Sequence, residues 1–163
     1  MKRFVNPLLV ASFIDANILD DVADGEDESV NRLVEMNRNG EINIHLPWSV
    51  QSELDHPNTP AHVRRAAAEF LYSTRVQLTA PELANVTKLV EITKGDANAK
   101  NIEADLFHVA EAGKYGAGYF VTRDKRLLAR AGKIAEFLGV SVVTPSVFLQ
   151  KVDEASKLMS QRH

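Results

Sequence analysis

Short apolar runs of strand length alternate along this chain with longer stretches whose apolar residues recur every three or four positions. Leu8-Leu9-Val10-Ala11-Ser12-Phe13-Ile14 is nearly continuous in apolar character and reads as a central strand buried on both faces. Val30, Leu33 and Val34 predict a helix from about Glu28 to Arg38, closed by Asn39-Gly40. Ile42 to Leu46 alternates and reads as a second strand. Pro47 then opens a short helix carrying Val50, Glu53 and Leu54, which stops before Pro57. Val63, Ala66, Ala67, Phe70 and Leu71 predict a helix over Pro60 to Ser73. Thr79 and Glu82 have the spacing of a capping box for a helix reaching about Lys94. Gly95 to Asn98 reads as a loop. A helix over Ile102 to Tyr115 ends among Gly116 and Gly118, and Tyr119 to Thr122 is a short buried strand. Leu127, Leu128 and Ala131 suggest a short helix, and Ile134 to Leu138 another. Val140 to Val143 forms a last strand, after which Thr144-Pro145 starts the final helix. The acidic run Asp20 to Glu28, with Gly25 inside it, reads as a solvated loop.

Strands separated by helices indicate an α/β fold with a parallel sheet. Open sheets of this kind bind ligands beyond the carboxyl ends of their strands. The 163 residues suit one domain over 1–163, with no internal repeat or low-complexity linker. A hydrophobic share of 45% allows a real core without covalent staples. The absence of cysteine excludes disulfides, iron–sulfur clusters and cysteine-bound zinc, and fits a reducing cytoplasm. No apolar run approaches the roughly 20 residues that cross a bilayer. The apolar stretch after Met1-Lys2-Arg3 runs into Asp15 without a small-residue cleavage site, so a soluble cytoplasmic protein is expected. A net charge of −3 argues against a duplex-DNA-binding module. It does not argue against a metal nuclease, whose cations sit between its acids and the phosphates.

The strand-end rule selects four acids. Asp15 directly follows the first strand, and Asp124 follows Tyr119 to Thr122 with one residue between. Glu53 lies on the helix after the second strand. Asp105 falls in the first turn of the predicted Ile102 helix, where the helix dipole favours an anion. Hard divalent cations take oxygen ligands, so clustered carboxylates suit Mg2+ or Mn2+ better than zinc. Such a cation neutralises charge and activates water in phosphodiester cleavage. Each acid also has a simpler reading. Asp15 and Asp124 are placed to cap helices starting at Ala16 and Lys125. Glu53 is placed as a solvated helix residue, and Asp105 as a favourable first-turn charge.

Other residues carry two readings as well. His108, one turn after Asp105, faces the site or is a structural helix residue hydrogen-bonded nearby. Arg123 and Lys125 flank Asp124 and are candidates to meet phosphate. With Arg126, Arg130 and Lys133 they form a basic patch or a solvated helix face. Arg64, Arg65 and Arg75 are candidates to line an RNA path. Trp48 belongs to the core or an interface, or stacks on a base. Gly113, Gly116 and Gly118 do not form a phosphate-cradling frame, which counts against a nucleotide-binding domain. A receiver-like domain needs paired acids immediately after its first strand, and these are missing.

Four segments together resemble the PIN-domain family. Phe13-Ile14-Asp15-Ala16-Asn17 is similar to its opening motif. Pro47-Trp48-Ser49-Val50-Gln51-Ser52-Glu53-Leu54 resembles its second, and Ala104-Asp105-Leu106-Phe107-His108-Val109-Ala110 its third. Val121-Thr122-Arg123-Asp124-Lys125 resembles the fourth. Their order agrees over about Leu8 to Phe148. The resemblance implies a three-layer α/β/α Rossmann-like sandwich around a parallel sheet of four or five strands. It implies endoribonuclease activity with Mg2+ or Mn2+. The related VapC-like toxins imply an antitoxin protein and a homodimer. Carried over by position, Asp15, Glu53, Asp105 and Asp124 form the acidic site. Asp15 binds metal directly, Glu53 or Asp105 holds the metal and its attacking water, and Asp124 completes the site. Asn17 and Thr122 orient the carboxylates. The stretch from about 57 to 101 is longer than in a minimal toxin and is expected to add or lengthen helices. Glu103 and Asp96 are spare acids near Asp105. A PIN-like RNA-binding or assembly module without catalysis is the alternative reading.

Overall fold

In the computed structural model, which describes residues 5–93 and 99–161, five short strands form one parallel sheet. They are Ser12–Ile14 (β1), Ile44–Leu46 (β2), Leu71–Tyr72 (β3), Tyr119–Val121 (β4) and Ser141–Val143 (β5), in the order β3-β2-β1-β4-β5. Successive side chains of a strand point to opposite faces. Ile14, Ile44, Leu46, Tyr119 and Val121 therefore enter one core, and Phe13, Phe120 and Val142 the other. Both faces are covered, which is why these strands read as continuous apolar runs rather than as alternation.

The first core is closed by Ile18–Asp24 (α1), Glu28–Arg38 (α2), Val50–Leu54 (α3), Ala61–Ala67 (α4) and Pro145–Ser160 (α9). The second is closed by Ala80–Thr93 (α5), Ala99–Tyr115 (α6), Lys125–Ala129 (α7) and Ala131–Leu138 (α8). The result is a three-layer α/β/α sandwich. The order of strands reverses between β1 and β4, so the ligand crevice of such a sheet lies at their carboxyl ends.

Local chemistry sets several helix starts. Asp27 accepts from the Val30 N–H at 3.0 Å at the start of α2. Thr79 and Glu82 form the expected reciprocal box, with backbone-to-side-chain bonds of 2.9 and 3.3 Å. Thr144 caps α9, with Pro145 in its first turn. No helix among the described residues is long and apolar enough to cross a membrane.

Four elements differ from the sequence reading. The Leu8 to Ile14 run pairs only from Ser12. Before it, the Asn6 side chain accepts from the Leu8 N–H and the chain turns, leaving Leu9 exposed. The acidic run is not a solvated loop, because Asp20 to Asp24 belong to α1. Ile18 and Leu19 bury that helix, and Gly25 ends it in the left-handed conformation at φ 70°. The expected helix over Pro60 to Ser73 stops at Ala67, and Leu71–Tyr72 becomes an edge strand on β2. Among the described residues, the 57 to 101 stretch holds α4, β3, α5 and the start of α6. Finally, α6 begins at Ala99, three residues before the expected start.

Two buried features have measurable consequences. A Cβ added at Gly113 within α6 meets Val140 Cγ2 at 2.8 Å and the Leu138 carbonyl oxygen at 3.0 Å. Alanine is the better helix former by about 1 kcal/mol. Overpacking against a backbone oxygen outweighs that gain, so Gly113→Ala should cost about 1–3 kcal/mol in denaturant unfolding. A stabilised variant would show that α6 and β5 are not in this contact.

His45 is buried beside Phe13 and Tyr115, with ring centres 5.8 and 5.4 Å away. Neither of its ring nitrogens has a partner among the described residues. Burial holds its pKa below the ordinary 6.5, so the native state keeps it neutral. The unfolded chain binds a proton there first as pH falls below 6.5, and native stability drops. His45→Phe should remove that acid-labile part. The stability gap between variant and wild type should widen from about pH 7 to pH 5, and parallel stability curves would refute the neutral buried ring.

Candidate acidic site at the sheet switch point

Thr122 organises the crevice. It follows β4, is fully buried, and its N–H bonds the Val143 carbonyl at 2.9 Å. Its hydroxyl donates to Asp15 Oδ2 at 2.8 Å. It accepts from the Asp124 backbone N–H at 3.0 Å and from Asn17 Nδ2 at 3.4 Å. One donor and two lone pairs are thereby all used. Asp15 itself extends the ladder, its N–H bonding the Val121 carbonyl at 2.9 Å. Asn17 precedes α1 but makes no side-chain cap there, so its amide is directed to Thr122.

Asp124 does cap α7, accepting from the Arg126 N–H at 2.9 Å. The simpler reading thus holds for Asp124, alongside its place in the cluster. It does not hold for Asp15, which contributes its carbonyl, not its carboxylate, to the Ile18 N–H. Asp105 lies nearly two turns into α6 because that helix starts at Ala99. The expected first-turn dipole support is therefore lost, since the effect fades beyond the first turn.

Three carboxylates sense one another here. Burial pushes Asp105 up to about 6, and the charges of Asp15 and Asp124 add to the rise. Burial also raises Asp15, against the Thr122 hydrogen bond, with Asp124 contributing. Asp124 goes the other way because the Arg126 guanidinium bonds it. Arg126 Nη2 lies 2.8 Å from Asp124 Oδ2 and 3.2 Å from Asp105 Oδ2. This bridge was not anticipated, since Arg126 was grouped with a basic patch. Its trace in the sequence is the Asp124-Lys125-Arg126 spacing, which puts the arginine in the helix turn that Asp124 caps.

Glu53 is attached through His108. The nearly buried His108 ring places Nε2 3.2 Å from Glu53 Oε1 and Nδ1 2.6 Å from Ser49 Oγ. Both readings of His108 meet in this arrangement, because the ring is hydrogen-bonded at both nitrogens and one of those bonds reaches Glu53. The Glu53 side chain stays 58% exposed, at the open side of the group.

The remaining candidates are placed as follows. Arg123 is engaged by Asp21 and Asp27. Lys125 is exposed at the first residue of α7. Arg130 bonds the Thr93 and Arg126 carbonyls at 2.9 Å each, and Lys133 pairs with Glu136. The basic stretch therefore has several separate tasks and is not one solvated face. Glu103 is exposed on α6, and Asp96 lies outside the described residues.

Among the described residues, no group of three or more His, Asp or Glu side chains is placed to hold a metal ion. Mg2+ needs only one or two carboxylates, since it keeps several waters. The all-oxygen donors and the mutual repulsion around Asp105 fit that cation by chemistry. Arg126 supplies positive charge at the same place. Comparison with known proteins yields no matching family, characterised protein or solved structure.

The raised Asp105 value has a sign in stability. Above about pH 6 the unfolded carboxyl has ionised near 3.8 more easily than the native one, so the native state is penalised. Asp105→Asn in divalent-free buffer should add on the order of 1 kcal/mol above pH 6. The gain should shrink as pH falls towards 3.8, and thermal unfolding across that range checks it. A constant gain at every pH would exclude the electrostatic cause.

Proposed function

We propose that this chain is a PIN-like, Mg2+- or Mn2+-dependent endoribonuclease that cleaves RNA phosphodiester bonds, as the toxin of a toxin–antitoxin pair. The observation that carries the nuclease reading is the linkage of Asp15 to Asp124 through Thr122, and of Asp124 to Asp105 through Arg126, at the switch point of a parallel sheet. The toxin part rests on the family resemblance.

Of Asp15, Asp105 and Asp124, one or two would hold the metal, which keeps waters in its remaining positions. When bound, the cation would neutralise charge on the phosphate and would orient and acidify an attacking water. Thr122 holds Asp15 in one orientation through its Oδ2. His108 holds Glu53 at the open side, where its carboxylate can accept a proton from an attacking water. Arg126 neutralises Asp105 and Asp124 in the absence of a cation, and is placed to meet a phosphate once displaced.

A non-catalytic RNA-binding or assembly module is the second reading. The Arg126 bridge favours it, because the acids then satisfy one another without a metal.

Purified protein incubated with mixed RNA should cleave it in Mg2+ or Mn2+ and stop in chelator. Asp15→Asn should lose about 100-fold or more of that activity, the scale set by removing a principal electrostatic group. Cleavage that survives both changes would sink the mechanism. Absence of cleavage with any RNA, together with no Mg2+-induced rise in melting temperature, would favour the non-catalytic reading. Induced expression of the wild type, but not of Asp15→Asn, should arrest bacterial growth if the toxin assignment holds.

A further inference from the structure

A second recognition feature lies beside the acids. Trp48 follows β2 by two residues, at the same carboxyl edge of the sheet. Its backbone is held on both sides. The Trp48 N–H donates to Ser73 Oγ at 3.0 Å, and the buried Ser73 bonds the Leu46 carbonyl through its own N–H at 2.9 Å. The next residue, Ser49, is tied to His108 at 2.6 Å, and His108 leads to Glu53. Despite this anchoring, Trp48 remains 40% exposed. The guanidinium carbon of Arg75 lies 5.0 Å from the centre of its ring, and Arg75 makes no salt bridge among the described residues.

Arg75 lies over part of the indole, and the rest of the ring stays open to solvent. An arginine over its face leaves two groups that single-stranded nucleic acid uses together. Unstacked bases lie on aromatic or guanidinium planes, and the guanidinium also bonds phosphate. A duplex keeps its bases stacked on each other and offers no free face. The acidic cluster, by contrast, repels phosphate, so a strand needs a cationic and aromatic foothold beside it.

We propose that Trp48 and Arg75 form a stacking platform for an unpaired base of single-stranded RNA, next to the acidic crevice. This inference deepens the ribonuclease reading and rests on it for the identity of the ligand. Trp48 grips the base through its ring face, and Arg75 adds a second plane and a phosphate contact. The substrate class is then RNA with at least one unstacked nucleotide near the scissile bond.

Trp48 is the only tryptophan of the chain, so its fluorescence reports the platform directly. The full-length Asp15→Asn protein in chelator removes cleavage from the measurement. Titration with an unstructured oligouridine should quench Trp48 fluorescence to saturation, and the same length of RNA duplex should not. Labelled-RNA anisotropy should show Trp48→Ala binding about tenfold or more weakly, with Trp48→Phe largely rescuing it. Arg75→Gln should weaken binding and lower the salt dependence by about one phosphate contact. Circular dichroism melting confirms that each variant is folded, and Arg75→Gln keeps the test decisive if Trp48→Ala is not.

RNA binding without quenching, and unaffected by Trp48→Ala or Arg75→Gln, would overturn the platform while leaving the nuclease reading intact. Quenching that follows protein concentration instead of RNA would also overturn it, in favour of contact between copies of the chain. Quenching and weakened variants, in a wild type that cleaves no RNA with Mg2+ or Mn2+, would support the platform and remove the nuclease reading.

Discussion

Asp15 meets Thr122 across 107 residues of chain because β1 and β4 lie side by side in parallel register. That pairing, extended by the bond from the Asp15 N–H to the Val121 carbonyl, governs everything at the crevice. It sets two loops next to each other at the point where strand order reverses. A single buried hydroxyl then joins Asp15, Asn17 and the Asp124 backbone. Half-buried carboxylates need such partners, because leaving one unpaired costs more than any single hydrogen bond contributes.

The other side of the site is carried by α6. Asp105 and His108 project from it towards the strand ends, while Gly113 lets the same helix approach Val140 and the Leu138 carbonyl. The helix is thus seated at both ends of its path over the sheet. Its depth explains the electrostatics: Asp105 is pushed up to about 6 by burial first and by neighbouring acids second. Arg126 and His108 oppose that rise. The folded chain carries the Arg126 guanidinium where the proposed activity needs an external cation, so metal binding as proposed would be an exchange of partners.

Periodicity indicated an α/β fold with a parallel sheet, because strands buried on both faces need unbroken apolar runs and helices need a 3.6-residue stripe. The layered sandwich was implied by the family resemblance. Caps at Thr79, Asp124 and Thr144 were equally legible, since a cap is a contact over two or three residues. The strand Leu71–Tyr72 was not. Its residues continue the helical spacing of Val63, Ala66 and Ala67, and only the exposed edge of β2 makes a strand of them. The α1 helix was hidden for the opposite reason, because Asp20, Asp21 and Asp24 mask a short buried stripe of Ile18 and Leu19.

The same division runs through the site. The sequence by itself determined the fold class, the order of its main elements, and that Asp15, Glu53 and Asp124 stand near strand ends or helix starts, whereas Asp105 lies deeper in its helix than expected. It also showed Arg126 close to Asp124, without showing what that arginine holds. Tertiary structure decided that Thr122 is the shared partner, that Arg126 spans two acids, and that Glu53 joins through His108 and not by direct contact. Local pattern reports which face of an element is buried, because burial is a one-body property of each residue. The partner a polar atom finds is a two-body property, settled only when segments far apart in the chain are packed to within hydrogen-bonding distance.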